Sequence, residues 1–196
     1  MKKGWIIAGA VVLIAIILYR VLAGSYNKMV ERQETVSSLW AQVENQYQRR
    51  SDLIPNLVNT VKGYANFEQE TLTKVVEARA KATSVNINAD NLTPEKVAQF
   101  QEAQDGLSSA LSRLLVTVEK YPDLKANQNF IELQSQLEGT ENRIAVARMN
   151  FNEAVQGYNT YIRRFPQNFL AGPYGFEKKG YFEAQHGADK APEVKF

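Results

Sequence analysis

FIELQSQLEGTENRIAVARMNFNEAVQGYNTY, residues 130–161, is the stretch that decides the fold class. Phe130, Leu133, Leu137, Thr140, Ile144, Ala147, Phe151, Ala154, Tyr158 and Tyr161 follow one another in steps of three and four. That is the recurrence of a single helix face. A helix of roughly 38 residues built around it would reach about 57 Å, far more than a compact core requires. A seam of this length buries itself against other helices at shallow angles, as in bundles and coiled coils.

Three further stretches repeat the pattern. The first passes through Tyr26, Met29, Gln33, Val36, Trp40, Val43 and Tyr47. The second takes Leu57, Val61 and Tyr64, then Leu72, Val75 and Val76 beyond a polar patch at Glu68. The third takes Val97, Phe100, Gln104, Leu107, Leu111, Leu114, Val118 and Tyr121. No stretch of comparable length alternates with period two. The expected fold is all-α, an elongated antiparallel bundle of about four long helices.

Local signals set the limits. Thr93 is the expected N-cap of the third helix, with Pro94 at its first position. Tyr121-Pro122 and Phe165-Pro166 end the third and fourth, because a residue before proline avoids helical dihedrals. Residues 84–92 read as a polar connection. At Pro55 the spacing continues from Tyr47 through Arg50 and Ile54 to Leu57. This favours one kinked, nearly continuous helix over a new one capped by Ser51 or Asp52.

Ahead of the seams, residues 5–19 carry no charge until Arg20. Taken as helix, residues 5–22 span about 27 Å, close to the hydrocarbon core of a bilayer. Lys2-Lys3 and the small residues near Ala23 also suit a secretory signal. Length favours a retained transmembrane anchor, as do the flanking rings of Trp5 and Tyr19, with Arg20 snorkelling to the interface. Helical spacing resumes at Tyr26, so the anchor is expected to run almost directly into the bundle. The division read from this is anchor 1–24, bundle 25–165 and an aromatic-rich strap and tail 166–196. Basic residues flank the span on both sides, and the lean is towards an amino end inside the cytoplasm with the bundle outside.

Composition narrows the chemistry. A net charge of +2 over 196 residues, with both signs interspersed, is no footprint for nucleic acid. The absence of cysteine excludes disulfides, thiolate catalysis and cysteine-ligated zinc or iron–sulfur centres. His186 is the sole histidine and reads as a solvated residue in a glycine-flanked tail. No Glu-x-x-His, Gly-x-Ser-x-Gly or phosphate-binding glycine loop occurs. No enzyme activity, metal or cofactor is expected.

Several polar and aromatic residues invite a role. Arg49, Arg50, Asp52 and Asn56 cluster around Pro55; paired arginines can read a phosphate or carboxylate, or Asp52 can pair with them structurally. Arg163-Arg164 ends the fourth helix, where positive charge complements the helix dipole. Asn152 and Asn159, seven residues apart beside the seam, either fix register or lie exposed. Phe169 and Phe176, with Phe165, Tyr174, Tyr181 and Phe182, are too apolar for a solvated tail. They are expected to pack on the bundle, or to meet a neighbouring subunit or a membrane. Residues 188–196 are expected to be mobile.

Residues 48–58, QRRSDLIPNLV, followed by Val61-Lys62-Gly63-Tyr64-Ala65, resemble the LemA family of bacterial membrane proteins. The likeness extends through Tyr26-Asn27, Ala78-Arg79, Ala147-Arg148, Tyr158-Asn159, Phe165-Pro166, Gly175-Phe176, Phe182-Glu183 and the closing APEVKF. Phe151-Asn152 stands where the family often shows Tyr-Asn. The resemblance implies a single-pass anchor in the bacterial inner membrane and a long helical bundle, with no catalytic residues to carry over. The expected role is a homo-oligomeric scaffold or envelope-organising factor. Its partners would be the bilayer, further copies through helix faces and an unidentified envelope protein. The rival is an adaptor or sensor that binds a peptide or envelope ligand near Arg49 and Asn56.

Overall fold

The computed structural model describes residues 2–64 and 67–184, the side chains of Lys2 and Lys3 apart. His186 and residues 188–196 lie outside the described residues. Helix α1 (Lys2–Lys62) is followed by α2 (Gln69–Ser84), a 3-10 turn (Ala89–Asn91), α3 (Pro94–Val118), α4 (Pro122–Lys125), α5 (Gln128–Arg163) and α6 (Asn168–Ala171). Among the described residues there is no strand. After a turn at residues 172–175, residues 176–184 form an extended strap.

α1 and α5 lie antiparallel along each other. Arg32 stacks on the Tyr161 ring at 5.0 Å, Trp40 meets Phe151 at 5.4 Å, and Arg50 meets Glu141 at 2.8 Å. α2 and α3 form a hairpin against the far half of this pair, with the Phe67 and Tyr121 rings 5.0 Å apart at its outer end. Only that far half is four-helical. Its core holds Ile54, Leu57 and Val61 of α1, Leu72 and Val75 of α2, Leu107 to Val118 of α3, and Phe130 and Leu137 of α5.

Nearer the amino end the bundle thins to α1 and α5, and the strap covers the groove between them. Met29, Val36, Trp40 and Val43 of α1 meet Ile144, Phe151, Val155 and Tyr158 of α5 under Phe176 and Phe182 of the strap. Trp40 is the hub: its ring stacks on Phe182 at 5.9 Å and meets Phe100 edge-on at 5.1 Å. The strap rises along α1 from Tyr26, which touches Phe176, to Trp40. Fourteen helical residues at 1.5 Å cover about 21 Å, and six extended residues cover about 20 Å, so the two elements climb in step.

Pro55 does not end α1, which runs unbroken from the apolar segment to Lys62. A proline cannot donate to the carbonyl four residues back, here that of Ser51. That carbonyl accepts instead from Arg79 Nε at 2.9 Å. The break comes after Lys62, so the expected second helix divides. Leu57 and Val61 belong to α1, and Leu72 and Val75 to α2. Thr93 caps α3 as expected, accepting from the Lys96 amide, with Pro94 at the start. Pro122 opens the short α4 as well as following α3. The 84–92 connection is less polar than it reads, because Ile87 and Leu92 are buried in the core.

Candidate functional site

The expected interaction cluster around Pro55 separates by side of the helix. Arg49, Asp52 and Asn56 are exposed, and Asp52 accepts from Gln48 Nε2 at 2.8 Å. Arg50 is only 1% exposed. It occupies a seam position between the two apolar clusters, where the three-four spacing had put it. One guanidinium nitrogen donates to Ser108 Oγ at 2.7 Å and Glu141 Oε1 at 2.8 Å. The other donates to the Gln104 side-chain oxygen at 2.7 Å and the Gln104 carbonyl at 3.2 Å. The Tyr47 ring lies 5.0 Å below the charge.

Gln104 Nε2 passes the network on to the Ala82 carbonyl at 3.2 Å. One buried side chain thus ties α1 to α3 and α5 directly and to α2 through Gln104. A guanidinium taken out of water is costly unless its protons are satisfied. Both terminal nitrogens are, while the buried Nε has no partner among the described residues. Glu141 keeps part of its hydration at 44% exposure, which limits the cost of the pair. The charge of Arg50 is committed internally and faces no ligand surface. Gln104 announced itself in the sequence as a polar residue on an apolar seam. Ser108 and Glu141 carried no such signal.

Beside this layer a polar groove of about 330 Å³ opens between α1 and the 82–86 segment, lined by Glu44, Gln48, Thr83 and Asn86. Burial pushes the Glu44 carboxyl above its ordinary value, and the Trp40 indole partly offsets this. Among the described residues no three His, Cys, Asp or Glu side chains gather to hold a metal.

The second constellation is the clamp on the strap. Asn159 Nδ2 donates to the Lys179 carbonyl, and Asn159 Oδ1 accepts from the Lys179 amide, both at 2.9 Å. Asn152 makes the same reciprocal pair with Phe182, at 2.8 and 2.9 Å. Gln101, across the groove on α3, pairs likewise with Glu183 at 3.0 and 2.9 Å. Each carboxamide imitates a neighbouring strand by offering one donor and one acceptor. The spacing follows from geometry: seven helical residues rise about 10.5 Å, and three extended residues about 10 Å. Asn152 and Asn159 therefore neither cross-link helices nor lie exposed. They hold an extended segment.

The strap is fixed at other points too. The Gly180 amide donates to the Leu92 carbonyl at 2.9 Å, and a Cβ at Gly180 would stand 2.7 Å from Pro94 Cα. Arg148 donates to the Glu183 carbonyl at 2.8 Å and covers the Phe182 ring at 4.8 Å. Lys179 is buried, with Nζ donating to the Asp90 carbonyl at 2.7 Å. Burial lowers its pKa, and the Asp90 and Glu177 carboxylates offset this in part.

The remaining candidates divide. Phe176, on the strap, is buried against the α1–α5 groove, whereas Phe169 stands exposed on α6. Trp5, Tyr19 and Arg20 are exposed along the start of α1. None of the most apolar part of that helix is buried against the bundle, and it is long and apolar enough to cross a membrane once.

A family model described as LemA family matches residues 39–196. Protein LemA of Metamycoplasma hominis is 26% identical over 168 residues, covering 86% of this chain and 73% of that protein. Magnetosome protein MamQ 2 of Paramagnetospirillum magneticum is 26% identical over 183 residues, covering 84% of this chain and 66% of its own length. Magnetosome protein MamQ of Magnetospirillum gryphiswaldense matches to the same extent. None of these names describes a reaction.

Proposed function

The chain belongs to the LemA family, and on that footing we propose that it is a single-span membrane protein acting by assembly, as a scaffold that organises the membrane or envelope around it. The observation that carries this reading is the continuity of α1. One helix supplies both the apolar segment and the core residues from Met29 to Val61. The tilt of the span is then also the tilt of the rod, which extends about 60 Å beyond Leu22 at 1.5 Å per residue.

Such a rod offers long lateral faces to further copies. On α5, Val146 and Met149 are exposed three residues apart on one face, and this is the surface assigned to self-contact. Relatives named for the magnetosome fit participation in a larger cellular structure. The amino end faces the cytoplasm and the rod stands outside it. A phosphatase active only outside the cytoplasm, fused to the carboxyl end, is expected to be active.

The chain has no cysteine, so a single Met149→Cys variant can be cross-linked in isolated membranes. The reading predicts covalent dimers that remain in the membrane pellet after a carbonate wash. Monomers alone, or release by carbonate, would contradict it.

A further inference from the structure

We infer that Phe165 and Phe169 form a second, peripheral contact with the lipid surface, seating the foot of the bundle on the membrane that the amino-terminal helix crosses. This rests on the single-span reading above. Because α5 runs antiparallel to α1, the turn after Arg163 returns the chain to the base of the rod. There the Gln167 carboxamide stands 3.4 Å from the Ser25 hydroxyl, and the Tyr174 ring meets Tyr26 at 5.2 Å. Ser25 is three residues past Leu22, about 4.5 Å along the helix. The polar interface outside a bilayer's hydrocarbon core is about 5–7 Å deep on each side. The 165–174 turn is therefore held at headgroup level by its own packing.

What it presents there is apolar. Phe165 is 80% exposed and Phe169 69%, their rings packed edge to face 6.0 Å apart. Tyr174 is 60% exposed. Other rings of the same segment are treated differently, since Phe176 and Phe182 are fully used by the core. The exposed pair is flanked by Arg163 and Arg164, both exposed, which suits the phosphate level of a lipid surface. Rings at the boundary and guanidinium groups beside the phosphates are the pattern of an interfacial contact. A neighbouring protein could also cover such a pair. The fixed height relative to the span favours lipid.

The test uses the full chain in phosphatidylcholine–phosphatidylglycerol vesicles, with an environment-sensitive fluorophore on one introduced cysteine. Asn168→Cys, exposed on α6, reports the foot; Val12→Cys reports the span; Ala126→Cys reports the far end of the rod. The Asn168 label is expected to emit to the blue in the vesicles and to be quenched by lipids carrying a quencher near the headgroup, and the Ala126 label to show neither effect. Adding Phe165→Ser and Phe169→Ser, both at exposed positions, should remove the blue shift at Asn168. A Val12 label in the hydrocarbon with a water-like Asn168 label would overturn this inference alone. So would an Asn168 signal unchanged by the two serines, or quenching at Ala126 as strong as at Asn168. A water-like Val12 label would overturn the single-span reading and this contact together.

Discussion

At the scale of single residues, the stability of the rod depends on two arginines that satisfy groups no local interaction could. Arg79 supplies the proton that Pro55 cannot give the Ser51 carbonyl. Arg79→Met should cost about 1–2 kcal/mol with Pro55 present. In a Pro55→Ala background the helix supplies its own donor, and the same substitution should cost less than about 0.5 kcal/mol. Thermal melts of the four combinations in detergent measure that coupling. Arg50→Ala leaves a cavity and strands Gln104, for about 2–4 kcal/mol. Arg50→Met fills the cavity but strands the same Gln104 oxygens and leaves Glu141 without its partner. It should still cost about 1–3 kcal/mol, less than Arg50→Ala only by the cavity. Glu44 gives a pH dependence. Its pKa is raised on folding, so the folded state binds more protons than the unfolded one just above the ordinary carboxylate range. Stability therefore falls as pH rises through that window. Glu44→Gln should raise the melting temperature slightly at pH 7 and leave it unchanged at pH 4.

At the scale of elements, helices and most of their faces were legible in the sequence, because a three-four seam is a local pattern. Arg50 could even be placed on a seam, and Thr93 at a cap. Less legible were the features decided by distant partners. The seam carried the reading of one helix through Pro55, yet nothing around the proline reveals that a side chain 28 residues past Ser51 completes it, or that the break falls after Lys62. The strap was recognised by its rings, yet its course depends on Asn152, Asn159 and Gln101, whose carboxamides replace a strand that does not exist. The strap should therefore be separable from the helices. In an Asn152→Ala, Asn159→Ala variant the amides of Lys179 and Phe182 should exchange with solvent many times faster. Those in the middle of α5 should stay protected. Gly180→Ala, which pushes a methyl group into Pro94, should give the same local opening. Hydrogen exchange rising equally along α1 and α5 would show instead that the strap is part of one cooperative unit.

At the scale of the whole molecule, two apolar clusters meet at one charged layer, and a single helix carries the bundle down into its apolar extension. The rod has length without a matching interior, and this shape is what ties the account to assembly. Arg50 is turned inward to hold four helices in register, whereas Arg49, Asp52 and Asn56 remain on the surface. The most direct measurement is the mass of the full-length chain in lipid nanodiscs or mild detergent, by mass photometry with cross-linking as a check. The account predicts particles containing more than one copy, which fall to single copies when Val146 and Met149 are both changed to lysine. A protein that is one chain per particle at every concentration, before any substitution, would contradict it.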